Sequence, residues 1–387
     1  MYKIQTLNAI SPKGLNRLPA DRYIVSDHST DADAILLRSF KLHDYPFSNN
    51  LLAVARAGSG TNNVPIQTLS ESGVVVFNAP GANANAVKEL VLAGMLMGCR
   101  NISPAMDFVH SLQGTDAEMS VAVEAGKKQF GGFELPGRTL GVIGLGAIGV
   151  KIANAARSLG MNVIGYDPTI TIERAWQLDS DVEAAPNLDA LLAESDFITF
   201  HVPLIDSTRN LINAASLQKL KDGVILLNFA RNGILDDSAV LAGLESGKVY
   251  AYVCDFPSNA LRTNRRVITL PHLGASTREA EENCAIMVVD QMRDYLENGN
   301  ICNSVNLPNV KLRRTGLTRI AVVNQNNPDM LGKISHVLGQ AGVNIAHMLN
   351  DSKGNMAYTL MDVDSVVSED TRVALSAIPG VLKVRLL

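Results

Sequence analysis

The sequence contains few of the residues that mark several classes of protein. Its four cysteines include no CxxC pair, so neither a disulfide framework nor a metal site is predicted. Charged residues make up only 19%, with a net charge of −4, which argues against nucleic acid or an anionic membrane as the main partner. The longest apolar run, Leu90–Cys99, is too short to span a bilayer. Because the amino terminus begins as a strand without a signal peptide, we expect a soluble cytoplasmic protein. The cysteines are Cys99, Cys254, Cys284 and Cys302.

The pattern of apolar runs predicts an α/β protein with two parallel-sheet domains of the Rossmann or flavodoxin type. Strand-like runs alternate with polar helical segments over residues 1–97, and the same rhythm restarts more strongly near Thr139. The last 70 or so residues have the order β-α-β-β-α-β, which predicts a small ferredoxin-like α+β sandwich. The predicted divisions are a discontinuous domain of residues 1–97 and 276–305, a domain of residues 98–275, a linker of residues 306–317 and a domain of residues 318–387.

The segment GLGAIG, Gly144 to Gly149, follows a predicted strand and opens a predicted helix. Glycines allow a tight turn and a close backbone approach, and the helix amino terminus offers N–H groups to a pyrophosphate. Asp167 ends the next predicted strand, where its carboxylate can bond ribose hydroxyls and would repel a 2′-phosphate. The sequence therefore predicts an NAD site rather than an NADP site.

Charged side chains follow several predicted strands. Arg231 and His272 end two strands of the second domain, and Arg38 and Arg56 end two strands of the first. Ligand sites of parallel sheets collect at the carboxyl ends of the strands. A guanidinium suits a substrate carboxylate, and a histidine suits proton transfer near neutral pH. Together with NAD, these residues fit the oxidation of a 2-hydroxy acid.

The motifs as a set resemble the D-isomer-specific 2-hydroxyacid dehydrogenase family. LLRS, RAGSGTNNV, NAPGANANAVKELV, TLGVIGLGAIG, GYDP, HVPL, NFARNGILDD and LPHLGAST occur in family order and cover nearly the whole chain. The resemblance implies that Arg231 binds the substrate and that His272 is the general acid/base. It also implies that residues 1–97 and 276–305 form the substrate domain and residues 98–275 the NAD domain. The residues expected at NAD are Gly144, Gly146, Ala147, Ile148, Gly149, Asp167, Val202, Ala230, Asp255, Gly274 and Ala275.

The resemblance also implies a site for a substrate that carries a phosphate group. Ser59, Gly60 and Asn83 would line it, and Arg38 and Arg56 would supply positive charge. The pair Lys127 and Lys128 either adds to that charge or forms a solvated basic turn. The expected reaction is oxidation of 3-phospho-D-glycerate to 3-phosphooxypyruvate, the first step of phosphorylated L-serine biosynthesis. The alternatives are another 2-hydroxy acid, such as glycerate or 2-hydroxyglutarate, or a catalytically silent NAD(H)-binding regulator.

One departure from the family concerns the partner of His272. The family's usual glutamate falls on Ala260, and no Asp or Glu lies between Asp255 and His272. A carboxylate in that role orients the imidazole and fixes its tautomer. Four readings remain open: Asp255 or a water serves, Glu279 or Glu282 folds back, the histidine works unassisted, or catalysis has been lost.

The carboxyl-terminal unit resembles an ACT domain, a module that binds amino acids between paired copies. By that resemblance Asn326 and Asn344 would hold an L-serine effector, and a homodimer or homotetramer is expected. Asp329 stands where a glycine is usual and Asn324 where a histidine is frequent. A purely structural dimerisation domain is the other reading.

Overall fold

The computed structural model describes residues 1–387, whose helices and strands follow here in chain order. The first seven are β1 (Tyr2–Leu7), α1 (Pro12–Leu15), β2 (Tyr23–Ser26), β3 (Ala34–Leu37), β4 (Ala53–Arg56), α2 (Ile66–Glu71) and β5 (Val75–Phe77). Next come α3 (Ala84–Cys99), α4 (Ile102–Ser111), α5 (Asp116–Gly126), β6 (Thr139–Ile143), α6 (Ala147–Ser158), β7 (Asn162–Tyr166), α7 (Ile172–Ala175), β8 (Val182–Ala184), α8 (Leu188–Glu194), β9 (Phe197–Phe200), α9 (Ala214–Leu217), β10 (Val224–Asn228), α10 (Asp237–Ser246), β11 (Val249–Cys254) and β12 (Val267–Thr269). The chain ends with α11 (Arg278–Asn298), β13 (Thr318–Gln325), α12 (Met330–Gln340), β14 (Ile345–Lys353), β15 (Met356–Val363), α13 (Glu369–Ser376) and β16 (Val381–Leu386).

The chain divides into two compact units, residues 1–83 with 278–387 and residues 84–277. The first unit contains a parallel five-stranded sheet in the order β2-β1-β3-β4-β5. Helices α1 and α11 pack together so closely that a Cβ on Gly14 would lie 2.8 Å from the backbone of Ala285. The connections β2–β3 and β3–β4 contain no helix, so loops occupy the positions of crossover helices.

The second unit contains a parallel seven-stranded sheet in the order β12-β11-β10-β9-β6-β7-β8. From β6 the chain runs outward through β7 and β8, and then returns to β9 on the other side of β6. The strand order therefore reverses between β6 and β9, and such a reversal opens a crevice at the carboxyl ends of the strands. Separate apolar clusters cover the two faces of the sheet, which explains why its central strands are buried throughout.

The third sheet belongs to the first unit and is antiparallel, in the order β14-β15-β13-β16. Helices α12 and α13 cover one face through their own apolar cluster. The opposite face joins the cluster of the first sheet and α11, since Ala321, Val323, Tyr358 and Leu360 all belong to it. The carboxyl-terminal unit is therefore packed on the first sheet's own core.

Buried cations connect this third sheet to the end of α11. Arg319 and Asp362 form an ion pair at 2.6 Å with neither side chain exposed, and Arg319 Nη1 also donates to Asn298 O at 2.9 Å. Arg385 donates to Tyr295 O at 3.0 Å and to Leu296 O at 2.7 Å. The carbonyls at a helix carboxyl terminus carry partial negative charge and favour cations. Lys383 donates to Leu51 O, and burial lowers the pKa of Lys383 to about 8.

The predicted fold class is confirmed: two parallel sheets of the Rossmann type and a small antiparallel sheet with the order β-α-β-β-α-β. The predicted boundary near residue 97 lies inside α3, and the three-domain division stays a prediction. No helix is both long and apolar enough to cross a membrane.

Candidate active site

The three glycines of residues 144–149 differ in what surrounds them. Gly144 has a φ of 93°, and a Cβ there would lie 2.6 Å from His201 O. A Cβ on Gly149 would lie 1.9 Å from Gly144 O, so only glycine lets α6 begin this close to β6. Gly146, at the amino end of α6, faces open space. The loop thus leaves room for a pyrophosphate at the start of α6, which begins with Ala147 and Ile148.

Asp167 lies beside this loop and is oriented by it. Its Oδ2 accepts the Leu145 N–H at 2.9 Å, and its Oδ1 accepts both the N–H and the hydroxyl of Thr169 at 2.9 Å. A carboxylate has about four lone-pair sites, so one acceptor direction remains. This geometry fits the adenosine ribose of NAD, and the loop and Asp167 are the residues that would hold it.

Arg231 lies at the carboxyl end of β10, in a turn shaped by a buried asparagine. Asn228, 1% exposed, accepts the Ala230 N–H at 3.1 Å and donates to Arg231 O at 2.9 Å. The Arg231 guanidinium is exposed and donates to Ala230 O at 2.6 Å. The turn therefore holds the arginine backbone rigidly while its guanidinium reaches solvent.

His272 follows β12 in the left-handed region, with a φ of 40°. Its N–H donates to Asp255 O at 3.0 Å, and its ring lies 5.1 Å from that of Phe256. The Asp255 side chain is 1% exposed; its Oδ2 accepts the Gly274 N–H at 3.2 Å and its Oδ1 has no partner. Burial raises the pKa of the Asp255 carboxyl, while the nearby His272 and the Gly274 N–H oppose that rise.

Other predicted NAD residues line the same carboxyl edge of the sheet. Val202 follows β9 and lies against Gly144, Ala230 follows β10, and Gly274 and Ala275 follow β12. His201 lies between them; its Nε2 is 2.8 Å from the Thr199 hydroxyl, and its Nδ1 has no partner. Burial lowers the pKa of His201 to about 3, so this imidazole is neutral at physiological pH.

The predicted phosphate and substrate residues lie in the first unit. Arg56 ends β4 and Arg38 directly follows β3, the neighbouring parallel strand. Arg56 Nε donates to Asn63 Oδ1 at 2.9 Å, and Arg38 pairs with Glu281 at 2.6 Å. The N–H groups of Ser59 and Gly60 have no acceptor within the protein, as a site for a carboxylate requires. Asn83 is 8% exposed, and its Oδ1 has no partner.

Known proteins are similar to this chain over most of its length. Residues 92–274 match the family described as "D-isomer specific 2-hydroxyacid dehydrogenase, NAD binding domain". A D-3-phosphoglycerate dehydrogenase of Haemophilus influenzae is 34% identical over 349 residues, which cover 87% of this chain and 81% of that protein. The chain belongs to the D-isomer-specific 2-hydroxyacid dehydrogenase family. It is therefore a member of a family of NAD-dependent oxidoreductases, and its cofactor is NAD.

Two further proteins show how wide the similarity is. A hydroxypyruvate reductase of Thermotoga maritima is 40% identical over 255 residues, 63% of this chain and 77% of that protein. The structure of NAD+-bound 3-phosphoglycerate dehydrogenase from Entamoeba histolytica has a TM-score of 0.61 at 24% identity and covers 79% of this chain and 98% of that one. That likeness shows the fold. The chain spans about half, 54%, of the D-3-phosphoglycerate dehydrogenase of Archaeoglobus fulgidus.

Ala260, on which the resemblance places the family glutamate, precedes a short 3₁₀ turn. Two carboxylates that sequence reasoning offered in its place have cations in their own unit. Glu282 pairs with Lys13 at 2.7 Å and Glu279 with Arg278 at 3.4 Å. Asp255 is the carboxylate residue that contacts the segment carrying His272. Its backbone carbonyl accepts the His272 N–H, and its Oδ2 accepts the Gly274 N–H.

The remaining predicted residues are Lys127, which directly follows α5, and Asn326 and Asn344 of the carboxyl-terminal unit. Lys127 pairs with Glu124 on the exposed end of α5, as a solvated turn would. Asn326 donates to Gly354 O at 3.2 Å, and Asn344 donates to Asp364 Oδ2 at 3.0 Å. Asp329 has a φ of 65°, which accounts for the glycine usual at that position.

Two asparagines that shape this geometry were not predicted from the sequence. Asn228 holds the Arg231 turn, and Asn63 contacts both predicted phosphate arginines. In the sequence, Asn228 is one residue of NFARNG and Asn63 one residue of TNN, and nothing in these motifs distinguishes them from other asparagines. Their role depends on which carbonyls face their amides, and a single sequence does not encode that.

Proposed function

We propose that the protein oxidises 3-phospho-D-glycerate to 3-phosphooxypyruvate with NAD, as the first step of phosphorylated L-serine biosynthesis. The observation that carries this is the pair of arginines, Arg38 and Arg56, at the ends of two adjacent strands. Two guanidiniums suit a dianionic phosphate better than an uncharged substrate end. The relative from Haemophilus influenzae, named for this activity, supports the choice across most of the chain.

In this mechanism Arg231 binds the substrate carboxylate and polarises the reacting oxygen. His272 accepts the proton of the 2-hydroxyl as the C–H bond breaks, and returns it in the reverse direction. Bound NAD supplies the hydride acceptor. Within the first unit, the N–H groups of Ser59 and Gly60 and the unpartnered Asn83 oxygen are available to a substrate, as the family resemblance implies.

Asp255 replaces the family glutamate in this proposal. It is the buried carboxylate whose electrostatic field reaches His272, and its Oδ1 has no protein partner. Its negative charge stabilises the imidazolium that forms when the hydroxyl proton is taken. The same carboxylate would instead contact NAD, as the family resemblance implies.

The proposal extends to regulation and assembly. Asn326 and Asn344 are retained at the predicted effector positions, but both amides have partners within the chain. L-serine would have to displace these bonds, which favours weak inhibition. Exposed apolar side chains on the helices of the second unit support a homodimer or homotetramer; they are Leu96, Ile102, Met106, Val109 and Val121.

The substrate assignment is tested by Arg38→Ala. We expect KM for 3-phosphooxypyruvate to rise about tenfold or more, since one charge-assisted contact is lost, while KM for hydroxypyruvate stays unchanged. Arg22→Ala is the matched control, because Arg22 also pairs with a glutamate of α11, Glu297 at 3.5 Å. Steady-state NADH oxidation with both acids measures this. Equal effects on both acids would favour an unphosphorylated substrate, as the 40% identical hydroxypyruvate reductase suggests.

A further inference from the structure

We propose that Asn63 is a positioning residue: it holds Arg38 and Arg56, the two arginines proposed to bind the phosphate, in place. It thereby determines the preference for a phosphorylated acid. This inference rests on the proposed function. Asn63 is 8% exposed and lies in the loop between β4 and α2. Its carboxamide makes three hydrogen bonds, and each of them constrains Arg38 or Arg56.

The first bond fixes the plane of the Arg56 guanidinium. Asn63 Oδ1 accepts Arg56 Nε at 2.9 Å. A guanidinium is planar, so a bond to Nε also fixes the direction in which its two Nη atoms point. Gly58 provides the space, because a Cβ there would lie 2.3 Å from Arg56 Nη1.

The other two bonds fix the backbone that carries Arg38. Asn63 Nδ2 donates to Arg38 O at 3.1 Å and to Phe40 O at 2.7 Å. This segment follows β3 without a helix to hold it, and the N–H groups of Ser39 and Phe40 are in turn bound by Asn8 Oδ1 at 3.1 and 2.6 Å. Both amide hydrogens of Asn63 are thus used to fix one strand end.

One amide therefore holds the Arg56 side chain and the backbone that carries Arg38, whose guanidinium is itself paired with Glu281 at 2.6 Å. Burial raises the pKa of the Cys284 thiol to about 11, and the charges of Arg56 and Arg38 both oppose that rise, so both guanidiniums lie near this thiol. A phosphate needs donors at a fixed separation, whereas an unphosphorylated acid does not use these arginines. Asn63 consequently affects selectivity without touching the reacting atoms.

The test uses Asn63→Ala and Asn63→Asp in the full chain, with the exposed neighbour Asn62→Ala as control. We expect Asn63→Ala to raise KM for 3-phosphooxypyruvate about tenfold, with kcat and KM for hydroxypyruvate unchanged. Asn63→Asp keeps an acceptor for Arg56 but loses both donors and adds negative charge, so it raises the same KM. It also keeps the test available if the alanine variant does not fold.

A double-mutant cycle with Arg56→Ala separates positioning from general loosening. If Asn63 acts through Arg56, Asn63→Ala has a much smaller effect on KM when Arg56 is already alanine. Full additivity, or an equal rise in KM for both acids, would overturn the role of Asn63. A wild-type protein without preference for the phosphorylated acid would overturn the proposed function, and this role with it. A wild-type preference that Asn63→Ala leaves intact would overturn the role of Asn63 alone.

Discussion

His272→Asn is expected to lower kcat by about 10²- to 10⁴-fold, the usual contribution of a positioned general acid/base. The 2-hydroxyl proton then has no acceptor at this position, while the residues that would hold NAD are unchanged. NADH affinity, measured by fluorescence titration, should therefore stay at the wild-type value. His110→Asn is the control. His110 lies at the exposed end of α4, in the same unit as His272 but distant from it in the sequence.

The pH profile identifies which histidine is responsible. Hydroxyl oxidation needs a neutral imidazole as the proton acceptor, so kcat in that direction should fall on acidification. His201 does not cause this limb, because burial lowers its pKa to about 3 and it stays neutral throughout. The limb should be lost in His272→Asn. A variant that keeps both the limb and more than about a tenth of kcat would remove His272 from the role.

Asp362→Asn is expected to destabilise the first unit by about 3–5 kcal/mol. The change leaves Arg319, which has no exposed side-chain surface, without its countercharge. The carboxylate also accepts the Thr315 N–H at 2.8 Å, so the linker loses an anchor as well. Urea unfolding measures the free energy, and Asp351→Asn on the exposed face of β14 is the control. A loss below about 1 kcal/mol, the range of a surface pair, would contradict the account.

The same pair predicts a pH dependence. Burial alone would raise the pKa of Asp362, but Arg319 and Thr315 outweigh it and lower the pKa to about 2. A carboxyl with a depressed pKa contributes stability that is present above its usual value of 3.8 and lost as the pH falls toward 2. The wild-type and Asp362→Asn proteins should therefore converge in stability across that acidic interval.

The parts of the fold that were predictable depend on local backbone rules. The glycine requirement at Gly144 and Gly149 arises within one turn, so GLGAIG already identified the loop. The strand ends carrying Arg231 and His272 were predictable because apolar runs end there. The position of Asp255 beside the segment 272–274 was open, because it depends on how the loop between β11 and β12 folds back.

The parts that were not predictable depend on contacts between distant segments. Arg319 and Arg385 read as ordinary polar positions of alternating strands, yet both are buried against the end of α11. The sequence gives no sign that this face of the third sheet would be covered. The amides of Asn63 and Asn228 likewise gain a role only from carbonyls that the fold brings near them.

The central claim is tested most directly by NADH oxidation with the purified protein, comparing 3-phosphooxypyruvate with hydroxypyruvate. We predict rapid turnover with a clear preference for the phosphorylated acid, which would also show that Ala260 in place of the family glutamate is compatible with catalysis. NADH binding without turnover on either acid would contradict it and favour a silent NAD(H)-binding regulator.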